Sequence, residues 1–234
     1  MRPCPAPRSP PRLELLVYYH GGGFYLFSAF DSTYHAYLNA LAARAANALV
    51  VSVEYRLAPE HPVLAAYADL WDALAWVLSH VAGAAAEPDP WLARHADQSR
   101  LYLSGNSAGA NIAHHMAIRA GASVRGLVLV HPYFLGSDEV GSDDLDPAMR
   151  ERLGRLWRVA CLDAAGEDDP FINPLADGAP PHAHRAGPRR PRDRASPAGL
   201  ASAAGAPAPR RPELAVLAAR APPDARHPAS SSSW

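Results

Sequence analysis

The sequence predicts an α/β fold in which a mostly parallel sheet is flanked by helices, and three observations carry that expectation. Short apolar runs, among them Leu13–Tyr19 and Ala48–Val53, have the near-continuous hydrophobicity of strands buried on both faces. Between such runs, apolar residues recur at helical spacing, most clearly at Leu64, Tyr67, Trp71, Leu74, Leu78 and Val81. The two patterns alternate along the chain, which is the order that strand–helix–strand units produce. At 234 residues the chain is long enough for one domain with a sizeable core.

Taken in order, Leu13–Tyr19 is rich in strand formers and runs through His20 into consecutive glycines, so a strand followed by a tight turn is expected. Tyr34, Leu38, Leu41 and Ala45 mark a helix, and Ala48–Val53 a second buried strand. Pro59 and Pro62 break the pattern ahead of a strongly amphipathic helix over Val63–Val81, whose aromatics belong in the core. Two further strands, Arg100–Leu103 and Gly126–His131, bracket a helix over Ala108–Ala120. An acidic loop from Ser137 to Asp146 leads into an amphipathic helix marked by Met149, Leu153, Leu156 and Ala160.

After about Pro180 the pattern stops. Residues 179–234 hold 11 Pro, 16 Ala and 9 Arg, but one Val, three Leu and a single aromatic, Trp234. Such a segment buries too little apolar surface to offset its ordering entropy, so 181–234 is expected to be a disordered Arg/Ala/Pro-rich tail behind a domain of residues 1–180. The exception is a weak helix around Glu213–Arg220.

The net charge of −1 divides unevenly: residues 1–178 carry 13 Arg and 20 acidic side chains, and 179–234 carry 9 Arg and 3. The Arg pairs at 189–190 and 210–211 have no interleaved aromatics to stack on bases, so nucleic acid is not expected as a partner. Two cysteines, Cys4 and Cys161, allow no disulfide framework beyond a single bridge and have neither metal-ligand nor redox spacing, and neither a metal nor a cofactor is expected. No apolar stretch approaches the roughly 18 residues of a membrane span, and none near the start has signal-peptide length, which points to the cytoplasm.

The chemistry is carried by two turns. Gly105-Asn106-Ser107-Ala108-Gly109 fits G-x-S-x-G and lies between a strand and a helix, where its glycines permit a sharp turn that projects the Ser107 hydroxyl from the sheet edge. The Ala108 amide, at a helix N-terminus, would face a developing oxyanion. His20-Gly21-Gly22-Gly23-Phe24 also follows a strand and supplies further amides for an oxyanion hole, with His20 and Gly21 shaping the loop.

With these turns, Glu54-Tyr55-Arg56-Leu57-Ala58-Pro59-Glu60 and Asp169-Pro170-Phe171-Ile172-Asn173-Pro174, the chain resembles plant carboxylesterases of the hormone-sensitive-lipase group, relatives of the gibberellin receptors. The likeness runs from about Leu13 to Pro180 and implies an α/β-hydrolase fold with a small helical cap at about 137–165. It further implies that Ser107 attacks the carbonyl of a small ester, that the amides of Gly22, Gly23 and Ala108 hold the oxyanion, and that Leu145–Cys161 caps an apolar pocket. Phe24, Tyr25 and Phe134 are candidate walls of that pocket. Two departures follow from the same resemblance. Family members carry strands ahead of the glycine turn, and an acid and a His after later strands, so a sheet truncated at both ends is expected. Asp193 and His227 stand in the order the triad needs, but no strand pattern precedes either. The expected function is therefore an impaired serine carboxylesterase. The alternatives are a non-catalytic small-molecule binding protein, as in the hormone receptors of the group, and a non-functional truncated product.

Overall fold

The computed structural model describes residues 12–44, 48–137, 146–161, 166–176 and 214–218. Among these residues five strands form one sheet: β1 (Leu13–Tyr19), β2 (Ala48–Val53), β3 (Ala96–Asn106), β4 (Gly126–Val130) and β5 (Leu214–Ala218), in the spatial order β4-β3-β1-β2-β5. The first four are parallel, and β5 runs antiparallel along β2. The helices are α1 (Ser32–Arg44), α2 (Val63–Val81), α3 (Pro90–His95), α4 (Ala108–Ala120) and α5 (Pro147–Ala160).

Alternation along the strands divides the core. Leu15, Val17 and Tyr19 of β1, with Leu49, Val51 and Val53 of β2, pack with Leu70, Leu74, Ile112 and Met116 of α2 and α4. The intervening Tyr18 and Val50 point the other way, onto Tyr34, Leu38 and Ala42 of α1. Each central strand is thus apolar on both faces because both faces are covered, which explains the unbroken hydrophobic runs. Across α2 and α4, the Arg119 guanidinium lies 3.8 Å above the centre of the Trp71 ring.

Three elements differ from the sequence expectation. Strand β3 begins at Ala96, ahead of Arg100, so its polar start pairs beside β1 with a register shift between Leu13 and Leu15. Helix α3 was unforeseen, although Asp89-Pro90 announces it: the Asp89 carboxylate accepts from the Trp91 and Leu92 amides, and Pro90 occupies the first turn, where no N–H is needed. The weak helix around Glu213–Arg220 is replaced by strand β5. Leu and Ala favour a helix locally, but the open ladder edge of β2 supplies backbone partners that a short isolated helix lacks. At 214–218 the tail thus runs as a strand along the outer edge of β2. The rest of 181–234 lies outside the described residues. Among those described, no helix is long and apolar enough to cross a membrane.

Candidate active site

Strands β1 and β3 are neighbours with Tyr19 opposite Gly105, so the turns that follow them lie side by side at the same sheet edge. Ser107 links β3 to α4 with φ 52° and ψ −120°, a conformation that costs an L-residue on the order of 1–3 kcal/mol unless its surroundings enforce it. They do so through the backbone. The Ser107 amide donates to the Val130 carbonyl at the end of β4 (2.9 Å), and its own carbonyl accepts from the amides of Tyr133 (3.1 Å), Ala110 (3.0 Å) and Asn111 (3.1 Å).

The flanking glycines are required by space. A Cβ on Gly109 would sit 2.1 Å from the Tyr19 carbonyl oxygen and 2.5 Å from that of His20, and one on Gly105 would sit 2.4 Å from the Gly109 backbone. Helix α4 is therefore seated directly against the end of β1. On the other turn, the Gly21 amide donates to the Tyr34 hydroxyl (3.0 Å), and a Cβ on Gly21 would meet the Asn106 carbonyl oxygen at 2.7 Å. Gly22 and Gly23 have φ of 113° and 64°, and the Gly22 carbonyl accepts from the Tyr25 and Leu26 amides. Among the described residues, the amides of Gly22, Gly23 and Ala108 donate to no other group, and the three residues lie on the two adjoining turns.

His20 is fully buried beneath this turn. Its Nδ1 lies 2.8 Å from the Gly21 carbonyl and so carries a proton there, and its ring stacks on Tyr55 at 4.2 Å. Its Nε2 faces the Glu54 carboxylate at 4.0 Å. Burial lowers its pKa from the ordinary imidazole value, opposed by the Gly21 carbonyl and the charges of Glu54 and Asp31. Glu54 also accepts from the Ser28 hydroxyl (2.8 Å) and the Ala29 amide, so the segment after β2 braces the glycine turn from outside.

Helix α5 lies over the same region. The Tyr25 hydroxyl donates to the Leu156 carbonyl (2.8 Å), the Tyr133 hydroxyl donates to that of Leu153, and buried Trp157 meets Phe24 edge-on at 5.6 Å. The Leu156 Cδ1 lies 3.8 Å from where a Gly23 Cβ would be. Phe24, a candidate wall residue, is instead core at 1% exposure, because its φ of 73° turns the ring under α5. Tyr25 and Phe134 are half-buried.

Asn111 escaped the sequence reading. It is buried on α4, accepts from the Tyr67 hydroxyl, and donates to the Tyr133 carbonyl (2.9 Å) and the Phe171 carbonyl (2.7 Å). A lone amide among the small apolar residues of α4 was the available signal. The Phe171 carbonyl also lies 2.8 Å from His115 Nε2, and the Asp169 carboxylate accepts from the Phe171 amide (2.9 Å), so Asp169–Pro174 ties α4 to the region beneath α5.

Among the described residues, no side chain hydrogen-bonds the Ser107 hydroxyl. His80 is bound to the Trp76 carbonyl (2.7 Å), His114 and His115 lie on α4 against Phe134 and Phe171, and His131 is exposed at the end of β4. Asp193 and His227 lie outside the described residues. No group of three His, Cys, Asp or Glu side chains is placed to hold a metal among the described residues. A hollow of about 630 Å³ lined by Arg12, Asp97, Ser99 and Arg125 opens near the start of β3 and contains none of the residues above.

Comparison with known proteins bears on the family and the fold. The chain is 52% identical over 170 residues to tuliposide A-converting enzyme 2 of Tulipa gesneriana, covering 72% of this chain and 44% of that protein. It is 45% identical over 175 residues to probable carboxylesterase 13 of Arabidopsis thaliana, covering 69% and 52%. A hyperthermophilic esterase from the archaeon Pyrobaculum calidifontis superposes with a TM-score of 0.55 at 32% identity, covering 73% of this chain and 56% of that one. The chain thus spans about half the length of the relatives it matches. With the family model for the alpha/beta hydrolase fold matching residues 16–187, across both turns and the strands that carry them, the chain belongs to the alpha/beta hydrolase family.

Proposed function

We propose that the chain carries the nucleophile and the oxyanion donors of a serine carboxylesterase acting on small esters. The observation that supports this best is the enforced backbone of Ser107 beside unpartnered amides at Gly22, Gly23 and Ala108. In this reading the Ser107 oxygen adds to the ester carbonyl, its proton leaves to a base, and the carbonyl oxygen takes the negative charge. The three amides stabilise that charge without having to reorganise, and collapse expels the alcohol and leaves an acyl-serine for water to cleave. The relatives named as a carboxylesterase and an esterase support the same reaction class.

We further propose that this chain turns over poorly. A serine hydroxyl is a weak nucleophile until a base takes its proton, and loss of the His of such a unit typically costs about 10⁶ in turnover. Against the sequence expectation, strand β5 does precede His227, but it runs antiparallel to β2 and ends with Ala218 opposite Leu49, at the end of the sheet away from the Ser107 turn. It therefore does not aim His227 at the nucleophile, and the residues between the last family motif and Asp193 carry no strand pattern. Two measurements test the proposal. Prolonged exposure to a fluorophosphonate, followed by peptide mass spectrometry, should place the adduct on Ser107 in preference to the other serines; an adduct spread evenly over serines would remove the nucleophile assignment. Hydrolysis of a short-chain aryl ester should match that of Ser107→Ala at equal folded concentration. A turnover near 1 s⁻¹, in the ordinary enzyme range, abolished by both Ser107→Ala and His227→Ala, would show that the tail completes a triad.

A further inference from the structure

We propose that the outer edge of β2 is a strand-acceptor site and that the chain fills it with its own Leu214–Ala218, so that the C-terminal region clasps the sheet.

The need for an occupant is written in β2. Its six residues, Ala-Leu-Val-Val-Ser-Val, are all buried and include no charge, proline or glycine. Natural edge strands carry such residues to discourage pairing with other chains, so β2 has the composition of a central strand. On one side it pairs with β1 from Glu14↔Ala48 to Tyr19↔Val53. On the other side, without a partner, alternate N–H and C=O groups would be left open beside an apolar surface.

The occupant is equally specific. Residues 214–219, Leu-Ala-Val-Leu-Ala-Ala, are an uninterrupted apolar run that holds the single Val and two of the three Leu of 179–234. Pro212 and Pro222 bracket the run and limit how far a ladder could extend. The pairing is continuous and antiparallel, from Leu49↔Ala218 through Val51↔Val216 to Val53↔Leu214, and α1 lies against both β2 and β5.

The clasp bears on the site through the end of β2. Val53, the last residue held by β5, is followed by Glu54, whose carboxylate holds the Ser28 hydroxyl and the Ala29 amide and faces His20 beneath the glycine turn. Holding β2 on both edges fixes where that carboxylate stands.

The test uses the full chain with Cys4→Ser and Cys161→Ser as background. Ser52 and Ala215 are register partners, and antiparallel Cα pairs lie at about 4.5–5.5 Å, within the range a disulfide spans. Ser52→Cys with Ala215→Cys should oxidise to an intramolecular bridge, detected by peptide mass spectrometry and on a non-reducing gel. Ser52→Cys with Ala203→Cys, whose second cysteine lies in the same tail outside the strand, should bridge far less. Equal bridging of the two pairs in a folded chain, or a disulfide-linked dimer in place of the internal bridge, overturns the proposal. Val216→Pro supplies an independent readout that requires no cysteine. It should raise hydrogen exchange at the β2 amides not held by β1 by about tenfold or more while β1 stays protected, whereas unchanged β2 protection overturns the clasp.

Discussion

At the residue scale, two kinds of glycine can be told apart by what surrounds them. Gly109 has no room for a methyl group, since the Tyr19 carbonyl would lie 2.1 Å from it, whereas Gly83, with φ 69°, has nothing within 4 Å of where a Cβ would stand. Gly109→Ala forces α4 away from β1 and should cost about 2–3 kcal/mol or more, together with the Ser107 conformation. Gly83→Ala meets only the left-handed backbone penalty of about 1–2 kcal/mol. Urea unfolding of the pair checks the order, and equal losses would show that α4 is not seated as tightly as these distances require.

Buried His20 and half-buried His115 set a second residue-scale expectation. Burial lowers the pKa of His20 and of His115 from 6.5, opposed for His115 by the Phe171 carbonyl and the charge of Asp169. The unfolded chain then binds more protons than the folded one as pH falls below about 6.5, so stability is full above that value and declines towards the depressed folded pKa values. Urea midpoints should fall between pH 7 and pH 5. His115→Gln, which keeps a donor for the Phe171 carbonyl, should flatten the slope; a midpoint that rises on acidification would reverse the sign argued here.

At the element scale, α5 is held by a few strong anchors. Its exposed face carries Met149 and Val159, while Trp157 is fully buried against Phe24 and Phe171. Trp157→Ala should cost about 3–5 kcal/mol in packing, and Tyr25→Phe, which loses one partly exposed hydrogen bond, about 1 kcal/mol. Hydrogen exchange over 147–160 should rise sharply in the first variant and little in the second. Comparable exchange in both would mean that the helix is held elsewhere.

What was legible in the sequence follows from how far each signal reaches. Strands β1 and β2 and helix α2 were readable because burial on one or both faces imprints a period on consecutive residues. Ser107 and the glycine turn were readable because crowding admits only glycine at Gly105, Gly109 and Gly21, leaving a local motif. Asn111 was not readable, since its partners Tyr67, Tyr133 and Phe171 are remote in sequence and meet only through the fold. Strand β5 was misread as a helix because its conformation is decided by the β2 edge, whereas its own residues favour the alternative.

At the scale of the whole molecule, the candidate site sits on two interior strands, the central β1 and its neighbour β3, and the two borders of the sheet are finished differently. The β2 side is closed by β5. On the other side β4 is the last described strand, and its alternate residues Val128 and Val130 are 53% and 36% exposed, whereas Leu127 and Leu129 are half-buried against the core. A bare valine face beside a ladder edge that no described strand pairs is a template for self-association. It is also close to the chemistry, because the carbonyl that holds the Ser107 amide belongs to Val130. Val128→Lys places a charge on that bare face two residues away from this contact. Since Val128 packs on little, the folded state should change by no more than about 0.5 kcal/mol, while static light scattering at high protein concentration should fall clearly relative to the unaltered chain. A loss of about 2 kcal/mol with unchanged scattering would mean that the face is already covered within the chain, and the open border would then have to be sought elsewhere in the sheet.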